Sequence, residues 1–467
     1  MHIDDDQLKE FCGIMGIYGS PEASIWAYLG LYSLQHRGQE SAGIASSDGE
    51  VVRKHLGMGL VSDVFNEQIL NDLRGHIAIG HNRYSTTGSS NEANIGPIVV
   101  NHRLGPIGVA HNGNLVNSFT LREMLEERGS IFQTTTDSEV ILHLVAKSKK
   151  TTIEEKVKDA CNQIEGAFSL IFITRDKIIA VRDRNGFRPL AIGKKGNSYI
   201  FASETSAFDL IGATYVRDVN CAEMLVVDEN GMTSHHYTKK AKPRHCVFEF
   251  IYFSRPDSQI FNEYVDKTRR KLGKNLALEN PCDADIVISV PDSSNTAALG
   301  YAARSDAKFE IGLIRNHYVG RTFIHPKQRS RDLNVRIKFN TVGGVVKDRR
   351  IIIVDDSIVR GTTLRALVKR LRDAGAKEVH VRVSSPPIRY PCFYGMDFPT
   401  KEELIANKKE IDEIAAYLGA DSLKYLSLEA MLNAMPKDNG QEYCTACFSG
   451  EYPVVVEEKQ FKERNER

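Results

Sequence analysis

The chain has 467 residues, enough for roughly two or three domains, each with a substantial core. Its 61 Lys and Arg offset 60 Asp and Glu almost completely, which argues against a nucleic-acid or membrane-surface binder held by charge. No apolar run approaches the ~20 residues of a membrane span, so a soluble, cytoplasmic protein with neither nucleic acid nor membrane as partner is expected.

The first residues, Met1–Phe11, are acidic, and too short and polar for a secretory signal. Cys12–Gly19 (C-G-I-M-G-I-Y-G) is strand-like, with glycines where bulk is not tolerated, and Trp26–Leu34 has a helical texture. Short strands are expected at Ile77–Gly80, Ile107–Ala110, Leu170–Ile173, Ile178–Val181, Tyr199–Ala202 and Ala222–Val227. Helices are expected near Thr120–Arg128 and Asp137–Lys147. Many strands with few helices suggest an α+β layered sandwich rather than a repeating βαβ wind. Polar clusters follow several strands: His81–Thr86, His111–Asn114 and Thr134–Glu139. Each alone is compatible with ordinary turn and capping chemistry.

Texture changes around Lys239–Arg244. Cys246–Phe253 reads as a strand crossing into a second domain, followed by a helix near Tyr264–Asn275 and a strand at Asp285–Val290. The loop Pro291–Asn295 then leads into another helix. Ile351–Val354 is a buried strand that runs into Asp355-Asp356 and a small-residue turn. The helix Thr362–Ala374 follows, its apolar stripe at Leu364, Leu367, Val368 and Leu371, with Gly375 as its stop. Val379–Val383 supplies the next strand. Strand, helix, strand at this spacing implies a parallel α/β sheet, and such sheets bind ligands at the carboxyl ends of their strands. The turn before the helix suits a phosphate. The acidic pair would repel one, and suits sugar hydroxyls or a hydrated Mg²⁺ instead.

Eight cysteines in such a chain are not a secreted disulfide framework. Cys161, Cys221 and Cys282 read as small buried apolar residues. Cys444 and Cys447 form a C-x-x-C compatible with zinc, an iron–sulfur cluster or a redox pair. Spacing alone does not join them to Cys246 and Cys392.

Together the N-terminal patterns C-G-I-M-G-I-Y-G, H-R-G-Q-E-S-A-G, H-N-R-Y-S-T-T-G, H-N-G-N-L-V-N and T-D-S-E resemble class II glutamine amidotransferase domains of the Ntn-hydrolase superfamily. E-G-A-F-S-L, R-D-R-N-G-F-R-P-L and A-S-E-T extend the likeness over residues 12–235. The resemblance implies that Cys12 attacks the glutamine carboxamide, its own α-amine acting as base. Asn112 and Gly113 would bind the oxyanion, Arg83 the α-carboxylate and Asp137 the α-ammonium. Cys12 has no free amine while residues 1–11 are attached, so removal of that leader is expected.

V-D-D-S-I-V-R-G-T-T resembles the phosphoribosylpyrophosphate (PRPP) signature of type I phosphoribosyltransferases, which places an α/β domain of that family over residues 246–467. By that resemblance Asp355 and Asp356 face the ribose and Mg²⁺, with Ser293 on the pyrophosphate and metal side. Ser357, Arg360, Gly361, Thr362 and Thr363 would cradle the 5-phosphate. Ser294 departs from the glycine common in that pyrophosphate loop. The basic stretch Asn316–Asn340 reads alone as a solvated loop; beside a pyrophosphate it suits a cationic lid, with Arg321, Lys327, Arg331 and Lys338 as candidates. The segments around Cys392 and Cys444–Cys447 resemble a cluster-bearing subgroup. That implies a [4Fe–4S] cluster on Cys246, Cys392, Cys444 and Cys447, with structural zinc on the same ligands as the alternative.

The two halves in this order resemble the glutamine PRPP amidotransferases. The family would take ammonia from glutamine to C1 of PRPP, giving 5-phosphoribosylamine, glutamate and pyrophosphate at the first step of de novo purine biosynthesis. Feedback by purine nucleotides and a homotetramer are family expectations. The rivals are another class II amidotransferase-synthase and a non-catalytic PRPP-binding regulator.

Overall fold

The computed structural model describes residues 12–83, 92–316, 338–396, 398, 401–436 and 440–456. Met1–Phe11, Tyr84–Thr86, Arg321, Lys327 and Arg331 lie outside the described residues. Among the described residues no helix is long and apolar enough to cross a membrane.

The first half is a sandwich of two antiparallel sheets. One has seven strands in the order Thr214–Asp218, Ala191–Lys195, Ser198–Ala202, Gly13–Tyr18, Ile77–Arg83, Ser41–Ser47 and Val52–Met58. The other has six, in the order Gly231–His236, Glu223–Asp228, Ile178–Arg182, Gly166–Ile173, Gly105–Leu115 and Ile98–His102. The period-two alternation of strands builds the layers. In Gly13–Tyr18, Ile14 faces the second sheet with Ile171, Ile79 and Phe201. Met15 and Ile17 face outward, against the helix Ala23–Ser33 with its Ala27 and Leu31. A Cβ on Gly16 would stand 2.9 Å from the Ile171 Cγ2, so glycine sets the approach of the two sheets. Asp137–Lys147 and Ile153–Cys161 cover the far face of the second sheet.

Two expectations need correction. The polar clusters at 81–83 and 111–114 are not turns after their strands. They continue them: Arg83 pairs in register with Ser41, and Asn112 with Ser169. Apolar patterning ends where the chemistry begins, while the ladder continues. Nor is Cys246–Phe253 a strand. Only His245–Cys246 pairs, with Tyr443–Cys444, and Glu249–Phe253 is one turn of π-helix. Val247, Phe248, Glu249, Phe250 and Ile251 are all buried in succession, which a strand with one solvated face does not allow.

The second half holds a five-stranded parallel sheet ordered Lys308–Phe309, Ile286–Ser289, Arg350–Asp355, Glu378–Val383 and Ser422–Tyr425. Ile351–Val354 is buried on both faces, as central parallel strands are. Ile352 and Val354 pack under Val265–Glu279 and Asn295–Ala302. Ile351 and Ile353 pack under Thr362–Asp373 and Ile411–Leu418. The helix pair 265–279 and 295–302 meets backbone to backbone at Gly273, where an added Cβ would lie 1.8 Å from the Ala297 carbonyl oxygen.

Because backbone cannot give way there, Gly273→Ala is expected to destabilise the second half by about 1–3 kcal/mol, read as a lower denaturant midpoint. An unchanged midpoint would remove this contact from the account.

Candidate functional site

A cavity of about 30 Å³ opens at the start of the Cys12 strand, lined by Cys12, His81, Arg83, Gly96, His111, Gly113, Thr136, Asp137 and Ser138 among others. The structure thus gathers Cys12, Arg83, Gly113 and Asp137 in one place. Asp137 opens its helix and is buried. Burial alone would push its carboxyl up. His111, 3.5 Å away, the Leu115 N–H at 2.9 Å and Ser138 outweigh this and hold it below the usual range. It therefore stays an anion fit to receive a cation. Arg83 lies 3.6 Å from Glu40 and is buried. Gly113 has φ +149° and approaches Ala167 so closely that a Cβ would meet its carbonyl at 2.0 Å, so no side chain fits.

Asn112 is fully buried and does not line the cavity. Its Nδ2 donates to the Ser203 Oγ over a long 3.4 Å, and its Oδ1 has no hydrogen-bond partner among the described residues. His81 was not singled out by sequence. It is held neutral by burial and by Arg83, its pKa pushed down to about 3, and Gly96 packs directly against its ring.

A second cavity, about 330 Å³, lies at the carboxyl ends of the parallel strands, the location expected for an open α/β sheet. Asp355, Asp356, Ser357, Gly361, Thr363 and Ser293 line it. Asp356 accepts hydrogen bonds from the hydroxyls of Ser293 (2.5 Å), Ser357 (2.7 Å) and Ser294 (3.3 Å). Burial nonetheless pushes its carboxyl up, against those hydroxyls and Arg269. Ser294 also donates to Asp355 at 3.2 Å, so the residue that departs from the family's glycine braces both acids. Gly361, at φ +77°, caps the helix that begins at Thr362. Arg360, Thr362 and Lys338 do not line the cavity; Arg360 pairs with Glu403 at 3.3 Å.

Sequence reasoning missed Arg269, His36 and the segment Tyr252–Pro256, which also line this cavity. Arg269 is buried and donates to the carbonyls of Phe250 (2.7 Å) and Ser254 (2.9 Å). Burial lowers its pKa to about 10, despite Asp356. A signal was present: it is an arginine on the buried stripe of its helix, with Val265, Leu272 and Leu276. His36 belongs to the sandwich, so the first half supplies part of this cavity's wall.

Cys246, Cys392, Cys444 and Cys447 converge at the seam of the two halves, and none forms a disulfide. Cys246 pairs in register with Cys444. The Tyr394 N–H donates to the Cys392 Sγ at 3.4 Å, and Arg389 and Tyr390 donate to the Cys447 carbonyl. Burial pushes all four thiols up, Cys246 to about 12, and each is raised further by one or more of the others except Cys392. Arg188 opposes this at Cys246, Cys392 and Cys444. Cys246 and Cys392 keep some exposed surface, while Cys444 and Cys447 are buried. As placed, no group of three or more His, Cys, Asp or Glu among the described residues is arranged to hold a metal ion.

Residues 81–210 match the glutamine amidotransferase domain family, and residues 281–386 the phosphoribosyl transferase domain family. The chain is 52% identical to chloroplastic amidophosphoribosyltransferase 1 of Arabidopsis thaliana over 98% of its own length and 81% of that protein's. It is 47% identical to the amidophosphoribosyltransferase of Bacillus subtilis over 96% of its length and 95% of that protein's. Among solved structures, the Bacillus subtilis glutamine PRPP amidotransferase complexed with ADP and GMP superposes with a TM-score of 0.91 at 47% identity, covering 96% of this chain and 98% of that one.

Arg269→Gln removes a cationic wall of the larger cavity. It is expected to weaken PRPP binding by about tenfold or more, the scale of one charged hydrogen bond, in a calorimetric titration. Unchanged affinity would take Arg269 out of the binding surface.

Proposed function

The chain belongs to the amidophosphoribosyltransferase family, an Ntn-hydrolase sandwich joined to a type I phosphoribosyltransferase domain, and from that premise we propose how its residues divide the work. The enzyme uses glutamine to aminate PRPP, giving 5-phosphoribosylamine, glutamate and pyrophosphate, the first step of de novo purine biosynthesis. The observation that carries the reading is the pair of cavities: one gathers a cysteine, a buried arginine and a buried carboxylate anion, and the other an acidic pair at a helix start.

In the smaller cavity Cys12 attacks the side-chain carboxamide and releases ammonia as a thioester forms. Arg83 binds the α-carboxylate through its planar fork, Asp137 binds the α-ammonium, and Gly113 with Asn112 stabilises the oxyanion. The base is the α-amine of Cys12, which requires removal of Met1–Phe11. In the larger cavity Asp355 and Asp356 hold the ribose hydroxyls, and the turn Ser357–Thr363 holds the 5-phosphate. Arg360, Thr362 and Lys338 stand outside the wall. Ammonia reaches C1 through a protected internal path, because in water it would mostly protonate.

The oxygen donors Ser293, Asp355 and Asp356 suit a hydrated Mg²⁺, which when bound would neutralise the departing pyrophosphate. The four cysteines suit a [4Fe–4S] cluster: four unbridged thiols meet at one seam, and three of them, Cys246, Cys392 and Cys444, feel the positive charge of Arg188, which favours a cluster of net negative charge. Zinc on the same thiols is the second reading. Because Cys246, Cys392 and Cys444–Cys447 come from three distant segments, the group would serve to tie the seam rather than to react. Purine nucleotides acting as feedback inhibitors and assembly as a homotetramer complete the proposal; a relative's structure with ADP and GMP supports the former.

Cys12→Ala is expected to cut glutamine-dependent synthesis by at least about a thousandfold while synthesis from high external ammonia persists. Asp355→Ala with Asp356→Ala should lose both. Loss of the ammonia reaction in folded Cys12→Ala enzyme would contradict the division. An anaerobic preparation of the active enzyme is expected to be brown, to carry about four irons per chain, and to begin at Cys12 by intact mass. A colourless zinc protein would refute the cluster, and active enzyme retaining Phe11 would refute leader removal.

A further inference from the structure

The two cavities are separate, yet two adjacent residues of the sandwich touch the surroundings of both. Ser203 holds the chemistry side. Its N–H donates to the Ile14 carbonyl (3.1 Å), and its Oγ accepts from the Ile14 N–H (3.0 Å) and, at 3.4 Å, from the Asn112 Nδ2. Ile14 is two residues from the nucleophile, and Asn112 is the oxyanion donor proposed above. Glu204 holds the other side. It is fully buried. One carboxylate oxygen accepts from His36 Nε2 (2.7 Å) and from Arg37. The other accepts from the Arg255 N–H (2.9 Å) and the Ser258 hydroxyl (2.7 Å). His36 and Arg255 both line the larger cavity.

The His36 ring is held from both sides: its second ring nitrogen faces the Ser33 carbonyl at 3.2 Å. Glu204 therefore holds a side chain that sits in the wall of a cavity built for a polyanion. A pyrophosphate group entering that cavity competes with Glu204 for His36 and draws on the segment 253–256 whose backbone Glu204 also holds.

We infer that Glu204 is a positioning residue that couples occupancy of the PRPP cavity to the glutamine site. In the structure as it stands, Asn112 is turned onto Ser203 and away from the Cys12 cavity. When an anionic ligand loosens the bonds of Glu204 to His36 and Arg255, Ser203 shifts with its neighbour. The long bond to Asn112 is the weakest of the set and is the one released, freeing the amide toward the oxyanion. The ligand supplies the required differential affinity because it meets His36 in only one of the two arrangements. The inference rests on the two-site reading above and adds to it the residue through which one site senses the other.

The test compares intact enzyme with Glu204→Gln and with the milder Ser258→Ala, neither altering a group on either substrate. Glutamate release is measured with and without PRPP, alongside synthesis from ammonia. In the parent enzyme PRPP is expected to raise kcat/KM for glutamine by roughly 5- to 150-fold, the usual span of such coupling. In the variants that ratio should fall toward one, through kcat, while ammonia-dependent synthesis stays within about twofold of the parent. This split separates coupling from a structural role, which would lower both activities together. Should Glu204→Gln fail to fold, Ser258→Ala alone decides. A full PRPP response in the folded variants, or parallel loss of the ammonia reaction, overturns the inference. Wild-type enzyme that makes no product from glutamine and PRPP would instead overturn the two-site reading itself.

Discussion

The two halves are held in register by charges buried between them. Arg37, fully buried, donates to Glu204 and to both oxygens of Glu249. Arg188 donates to Glu249 at 2.9 Å and to the Tyr394 carbonyl, and Ser254 donates to Glu249 at 2.8 Å. Burial opposes the charge of Arg37, but Glu249 and Glu204 more than compensate and hold it firmly protonated. Both carboxylates are likewise held below their usual range against burial, Glu249 by the two arginines and Glu204 by His36 and Arg37. Such a network adds little net stability over apolar packing, but removing one partner costs roughly 3–5 kcal/mol. Its value is geometric: few other arrangements of the two halves satisfy every charge.

The rest of the interface follows from that constraint. Arg188 sits on the loop 183–190, which Arg182 shapes by donating to the carbonyls of Arg188, Gly186 and Val219. Asp183 accepts from the N–H groups of Asn185 and Phe187 in the same turn. The motif R-D-R-N-G-F-R-P-L is therefore architectural rather than catalytic. It presents Arg188 to Glu249 and stacks Phe187 on Tyr394 with ring centroids 4.3 Å apart. Two residues from Tyr394 is Cys392, so the cysteine quartet, the buried charges and the aromatic stack share one seam.

What the sequence made legible was local chemistry. Cys12, Arg83, Gly113 and Asp137, and likewise Asp355, Asp356 and Gly361, sit in compact motifs whose residue types are unusual for their elements. The buried strand at 351–354 and the helix after it follow directly from period and β-branching. Legibility failed where polar residues continue a strand, as at His81–Arg83 and His111–Asn114, because the apolar period is broken while backbone pairing is not. It failed at Glu249–Phe253, whose aromatic texture mimics a strand although Glu249, Phe250 and Ile251 are buried in succession. It failed again wherever partners are far apart in the chain. Glu204 meets His36 across 168 positions, and Asn114 donates to the Phe393 carbonyl across 279. No spacing rule reaches that far.

The central claim is that nitrogen freed at Cys12 passes within the molecule to the PRPP cavity walled by His36 and the Asp355–Asp356 pair. The direct measurement is isotopic. Enzyme is given PRPP and glutamine labelled with ¹⁵N in the side-chain amide, in the presence of unlabelled ammonium at a concentration too low to support synthesis by itself. Product carrying almost only ¹⁵N, whatever the dilution by bulk ammonium, is the result expected. Product whose label falls in proportion to the bulk pool would show that ammonia leaves the protein before it reacts, and would contradict the account.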